Sequence, residues 1–292
     1  MTTQLQTMPA VAPAMIAALT TVRRRPDEST PVPDLATRID GVSVNPRALA
    51  AYRTVCGFDS TSHLPVSYPQ VLVAPIHLQV MNRKGFPIPL LGMVHLRNSI
   101  EQLRPIEALE TLSFSVDVGQ LRRVKMGLEI DVNTECRGKD DEAPAWRSTM
   151  TILHRIKEKN GGGFRKPPGA PASLVESQNS MTIDIAEDTG RRYAKVAGDY
   201  NPIHLHALSA KLFGFKRAIA HGMWTQARCC AELERACAQA TRSVDIEFKR
   251  PIFLPGKATL KWAEVEAGIE YGLLGRNASE VHVLGHLQAG LR

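Results

Sequence analysis

Gly198-Asp199-Tyr200-Asn201-Pro202-Ile203-His204, with His221-Gly222-Met223 beginning seventeen residues after His204, is the stretch of this 292-residue chain from which the rest is read. Asn201-Pro202 has the chemistry of a helix start: Asn accepts orphan backbone N–H groups, and Pro has no N–H to lose. His204 then falls on the first turn of a short helix, and Asp199 lies in the loop just before it. The turn folds the chain back, so that an acid and a base five residues apart reach one small volume. That arrangement suits general acid–base work on a single substrate atom or water. Ala220-His221-Gly222-Met223 opens a second, longer helical pattern running through Ala238. Its first N–H groups are placed to face a developing oxyanion.

These residues carry a resemblance. The run YAKVAGDYNPIHLH (193–206), followed by AIAHGMWTQA (218–227), resembles the signature of the MaoC-like hydratases, the R-specific enoyl-thioester hydratase or hydratase 2 family. The resemblance covers roughly residues 181–290. A GD-x-NPIH heptad followed by AHG is a far more specific signal than a lone glycine-rich loop. Over the full length, with YPQVLVAPIHLQVM (68–81) and PLLGMVHLRN (89–98), the chain is similar to bacterial, mycobacterial-type 3-hydroxyacyl-thioester dehydratases that carry two hotdog repeats.

The resemblance implies an α+β fold, a double hotdog in which each repeat wraps an antiparallel sheet around a central helix. It implies a hydro-lyase that reversibly dehydrates (R)-3-hydroxyacyl thioesters to trans-2-enoyl thioesters. Asp199 and His204 would be the acid–base pair, and Gly222 would donate its backbone N–H to the thioester oxygen. Asn201, His221 and Met223 are the expected substrate-binding neighbours, with Asn201 fixing the loop. The substrate would be a thioester of coenzyme A or of an acyl carrier protein. Neither a metal nor a redox cofactor is implied.

Each residue also has a plainer reading. A lone Asp in a Gly-Asp turn most often bonds its own backbone, and His204 alone would more often be structural. Their pairing within the heptad favours chemistry. His206, two residues on, points elsewhere and belongs to surface or packing. His221 suits a helix start better than a second base. A metal site can be drawn from His204, His206, His221 and Cys229, but its spacing matches no zinc pattern. There is no G-x-S-x-G elbow for a serine hydrolase.

Composition sets outer bounds. Hydrophobic residues at 43% support a real core, and charged residues at 22% are ordinary. With 5% aromatic residues there is no stacking platform for nucleic acid, and no specific nucleic-acid partner is expected. The net charge of +7 fits either the phosphates of coenzyme A, an acidic carrier protein, or merely a basic surface with Arg23-Arg24-Arg25 supplying some of it. The five cysteines (Cys56, Cys136, Cys229, Cys230, Cys237) form no C-x-x-C pair. They point to a reducing, cytoplasmic setting without a disulfide framework. No run is apolar enough to span a bilayer, and the N-terminus has the wrong order of charge and apolar residues for a secretory signal.

Along the chain, residues 1–44 read as a loose arm rich in Ala, Pro and Thr. Residues 45–159 read as a first repeat, with helices from Pro46 towards Gly57 and from Tyr68 to Asn82, then strands near 93–102, 110–118, 122–136 and 146–158. Residues 160–180 read as a Gly/Pro linker. Residues 181–292 read as the catalytic repeat. It has a strand over 181–185, a helix around 188–196, the signature loop and long helix, and strands near 243–250, 257–266, 269–276 and 279–288.

The two halves share a frame. Tyr52-Arg53-Thr54-Val55-Cys56-Gly57 aligns with Tyr193-Ala194-Lys195-Val196-Ala197-Gly198 at an offset of 193 − 52 = 141. The same offset sets His63 opposite His204 and Phe58 opposite Asp199. The first half therefore keeps the frame without the acid, and serves as a degenerate packing partner that roofs the acyl pocket. His95 and Asn98 belong either to its fold or to that pocket. The assembly is expected to be a monomer, as a pseudo-dimer of repeats, or a homodimer. Two further readings stand beside the hydro-lyase: a non-catalytic acyl-thioester-binding hotdog subunit, and a hotdog thioesterase.

Overall fold

From Leu112 to Val118 every second residue is buried, so Leu112, Phe114, Val116 and Val118 share one face, the period of a half-buried strand. The same pattern recurs through the chain, and the strands it builds join into one sheet. The computed structural model describes residues 2–26, 29–156, 169–275 and 280–290. In order the elements are β1 (Thr2–Leu5), α1 (Val11–Ala18), a 3-10 turn (Leu19–Arg23), β2 (Ala36–Ser43), α2 (Pro46–Cys56), α3 (Tyr68–Asn82), β3 (Val94–Gln102), β4 (Thr111–Val124), β5 (Gly127–Gly138) and β6 (Trp146–Arg155). They continue with α4 (Ala172–Glu176), β7 (Ser180–Ile185), α5 (Thr189–Ala197), a 3-10 turn (Pro202–His204), α6 (Ala207–Leu212), α7 (Gly222–Cys237), β8 (Thr241–Phe248), β9 (Gly256–Val265), β10 (Gly268–Leu274) and β11 (Val281–Ala289).

The sheet runs β1-β2-β4-β5-β6-β3-β8-β11-β10-β9-β7. Leaving β1 aside, this order reads the same from either end once β2 is matched with β7, β4 with β9, β5 with β10, β6 with β11 and β3 with β8. The halves meet at β3 and β8, antiparallel, with Asn98 opposite Ile246 and Ile100 opposite Val244. This is a double hotdog.

The helices keep the same correspondence. Helix α2 starts on Asn45, whose side chain accepts from the N–H groups of Arg47 and Ala48, and it ends on left-handed Gly57. Helix α5 ends on left-handed Gly198, its partner at the 141-residue offset. Tyr52 and Tyr193, also partners, lie with ring centroids 6.3 Å apart. The Tyr52 hydroxyl bonds Ser67, the residue before α3, at 2.8 Å. The Tyr193 ring contacts His221, the residue before α7, at 4.9 Å. Trp224 on α7 donates to the carbonyl of Val55 on α2, tying one half to the other.

Three expectations need correction. The loose arm over 1–44 is structured: β2 pairs with β4 and places Thr37 and Ile39 in the interior, while Arg24 donates to the carbonyls of Met81, Asn82, Arg83 and Ile88. The break between strands at 118–122 is a bulge inside β4, between Val118 and Leu121, and the turn lies at Lys125-Met126. Residues 160–168 of the linker lie outside the described residues, but the rest of it carries structure: α4 seats Leu174, fully buried, against β10, and β7 begins at Ser180.

Candidate active site

The signature loop hangs between α5 and α7. Gly198 turns the chain out of α5, and the next residue, Asp199, accepts from the Asn201 N–H at 3.1 Å. The Asn201 side chain accepts from Ile203 N–H, capping the 3-10 turn that carries His204. This turn sits hard against α5: a Cβ on Gly190 would lie 1.9 Å from the His204 carbonyl oxygen. Only glycine permits that approach.

His204 is buried, and its Nδ1 lies 2.8 Å from the Ile219 carbonyl. A carbonyl only accepts, so Nδ1 carries the proton and Nε2 is left as a base. His221 stacks on His204 with centroids 3.7 Å apart. Its Nε2 donates to the Asp199 carbonyl at 3.0 Å and lies 3.8 Å from the Asp199 carboxylate, while its Nδ1 is buried without a partner. Asp199, His204 and His221 each bring one ligand-type atom within 4.8 Å of the others. That spacing could accommodate a cation, but the Asp199 carbonyl already engages His221 Nε2. The drawn set with His206 and Cys229 does not assemble: His206 is exposed, and Cys229 lies in the core.

The Asp199 side chain is half exposed, beside two buried imidazoles. Burial alone pushes its carboxyl up; His221, His204 and the Asn201 N–H outweigh it and hold the carboxyl below the usual range. Burial lowers both imidazoles, His221 to about 3, and Asp199 only partly offsets this. At neutral pH the site therefore holds one carboxylate and two neutral rings.

Gly222 begins α7, where a first-turn N–H has no intrahelical acceptor. A Cβ there would meet the Phe248 ring at 3.1 Å. Met223 is partly buried against the core. His95, from the first half, completes this wall. Its ring packs 4.9 Å from Phe248, its Nε2 lies 3.1 Å from the Arg97 carbonyl, and it lies close enough for the Asp199 charge to act on it. Asn98, on the same face of β3, donates to Gln226 of α7 at 2.9 Å. The sequence alone left both residues between packing and pocket.

The first half's counterpart is dismantled. Phe58, opposite Asp199, is core and stacks on Tyr52. His63, opposite His204, is 45% exposed and pairs with Glu107 at 3.1 Å.

The MaoC like domain family matches residues 168–271. The 3-hydroxyacyl-thioester dehydratase X of Mycobacterium tuberculosis is 33% identical over 261 residues, 89% of this chain and 90% of that protein. The chain belongs to the MaoC-like dehydratases. It is thereby an enzyme of the hydratase and dehydratase class. Among solved structures, HtdX of Mycobacterium tuberculosis superposes with a TM-score of 0.73 at 30% identity, covering 87% of this chain and all of that one. Another Mycobacterium tuberculosis protein, described as a double hotdog, matches at 0.55 with 11% identity over 86% of this chain and 94% of its own, a likeness of fold alone. Among the described residues no helix is long and apolar enough to cross a membrane.

Proposed function

We propose that this MaoC-like dehydratase reversibly dehydrates (R)-3-hydroxyacyl thioesters to trans-2-enoyl thioesters, and that its second repeat alone does the chemistry. The observation that carries the reading is the His204 tautomer: Nδ1–H bound to the Ile219 carbonyl leaves Nε2 as the base, on a ring within reach of the Asp199 charge.

In dehydration His204 Nε2 takes the proton from C2, and the thioester oxygen gains enolate character. The Gly222 N–H receives that charge, a contact typically worth about 3 kcal/mol. The C3–O bond then breaks, and the same proton passes from His204 to the departing oxygen, which leaves as water as the C2–C3 double bond forms. The Asp199 carboxylate stabilises the transient imidazolium and holds the hydroxyl. Each positioned proton transfer contributes about 10²–10⁴-fold. One proton moving on one face gives syn geometry, in keeping with the R configuration that the family resemblance implies. Asn201 holds the loop, and His221 and Met223 flank the substrate. The first repeat roofs the acyl chain through His95 and its neighbours.

The test is hydration of trans-2-enoyl-coenzyme A thioesters of increasing chain length, followed by loss of the conjugated absorbance. An R- or S-specific dehydrogenase reads the product. The expected result is R product, abolished by Asp199→Asn. S product, or full activity in Asp199→Asn, contradicts the assignment. Binding of acyl thioesters without turnover, on coenzyme A and on carrier protein alike, would support the binding-subunit reading instead.

A further inference from the structure

The two repeats part company between the histidine and the long helix. In the first, His63 to Ser67, the residue before α3, spans 67 − 63 = 4 positions; in the second, His204 to His221, the residue before α7, spans 221 − 204 = 17. The repeat that keeps the acid thus carries thirteen extra residues, the difference of those spans. They run from His204 to the start of α7, and so border the site as a rim.

The rim joins exposed apolar side chains to a cluster of cations. Helix α6 buries Ala210 and turns Leu208, Lys211 and Leu212 outward on one face, at i, i+3 and i+4. Leu208 is 79% exposed, Leu212 85% and the adjoining Phe213 42%. Lys216 and Arg217 follow, both exposed. From Tyr200 to Ala231 the chain contains no aspartate or glutamate. Among the described residues no carboxylate pairs with Lys211 or Lys216, and Arg217 lies against the Phe253 ring instead. Several other cations do have local acids: Arg104 with Glu110 and Asp141, Arg122 with Asp131, Arg228 with Glu232.

We propose that this rim docks a small acidic acyl carrier protein, with Leu208, Leu212 and Phe213 meeting apolar side chains and Lys211, Lys216 and Arg217 meeting its carboxylates. This rests on the thioester reading of the site and names the carrier. The recessed site requires a thioester presented on an arm, and the arm's far end must rest on the rim. A nucleotide would need the cations but has no use for two outward leucines a turn apart. A protein with acidic and apolar side chains complements both.

The test compares one enoyl chain, the best in the coenzyme A series, carried either by coenzyme A or by an acyl carrier protein. Two exposed double variants are used, Lys211→Glu/Lys216→Glu and Leu208→Ser/Leu212→Ser. The expected result is a fall in kcat/KM of about tenfold or more on the carrier substrate, steeper at low salt for the lysine pair, with the coenzyme A substrate unaffected. Equal losses on both substrates would assign the rim to coenzyme A and overturn the proposal, as would no loss on either. Dissociation of a wild-type dimer by the leucine pair, or loss of binding to anionic vesicles, with carrier turnover intact, would give the rim to a second copy or to lipid and overturn it too. Anisotropy of a labelled carrier protein is read in parallel. If the wild type binds the carrier rim-dependently but turns over neither thioester, docking stands and the hydro-lyase reading falls.

Discussion

The imidazoles of His204 and His221 lie stacked, with centroids 3.7 Å apart and planes 27° from parallel. Two buried rings this close cannot both carry charge, and burial already disfavours charge on either. Each also spends one nitrogen on a backbone carbonyl, His204 on Ile219 and His221 on Asp199. The stack thus keeps His204 neutral and oriented, while the second imidazole holds the Asp199 backbone where the carboxylate is needed. We therefore propose that His221, besides flanking the substrate, positions Asp199 rather than serving as a second base.

Gly222→Ala tests the oxyanion wall. The added methyl would press on Phe248 Cε1 and Cζ at 3.1 Å, and the ring must move. The single substitution should cost about 1–3 kcal/mol of stability, the usual range for overpacking, and lower kcat/KM. Adding Phe248→Ala should restore part of both, since the clash disappears while the N–H remains. Purely additive losses in the double-mutant cycle would mean that the ring does not wall the site.

Acid should loosen the fold before it exhausts the carboxylates. Burial lowers His77 and His221 to about 3 and His95 to about 4. A histidine whose folded pKa lies below its unfolded value of about 6.5 binds its proton more readily in the unfolded chain. Stability from these three is therefore present above about pH 6.5 and is lost as pH falls towards 3–4. Urea midpoints should drop steadily from pH 7 to pH 4.5, and His77→Gln should flatten that slope. His77 bonds Thr134 in the first half, away from the signature loop, so activity at pH 7 should survive the change. A midpoint independent of pH over this window would contradict the burial of these rings.

The placement of His95 against Phe248 predicts a site shared by both repeats. His95→Leu keeps much of the bulk against Phe248 and removes the polar edge. We expect kcat/KM to fall about tenfold, in the range for one lost polar contact in a site, with the thermal midpoint at pH 7 nearly unchanged. Wild-type kinetics would confine the working cleft to the second repeat.

The local part of this structure was legible in the sequence. Asn201-Pro202 capped the turn, Gly57 and Gly198 closed equivalent helices, and the 141-residue offset placed a half-exposed His63 opposite a buried His204. What escaped was what long-range pairing decides. Ala36–Ser43 directs only Thr37 and Ile39 fully inward, too few to announce a strand amid Arg38, Asp40 and Gly41. Gly119-Gln120 looked like a turn because a bulge and a turn favour the same residues. Nothing beside His95 marks it for the site. It arrives there because β3 lies against β8, whose last residue is Phe248.

The most direct measurement compares the two histidines that the duplication sets opposite each other. Hydration of the best trans-2-enoyl-coenzyme A is followed for wild type, His204→Ala and His63→Ala, with circular dichroism to verify folding. The account predicts a loss of about a thousandfold in kcat for His204→Ala, from the removal of a general base, and wild-type rates for His63→Ala. Comparable rates in all three proteins, or a loss confined to His63→Ala, would contradict it.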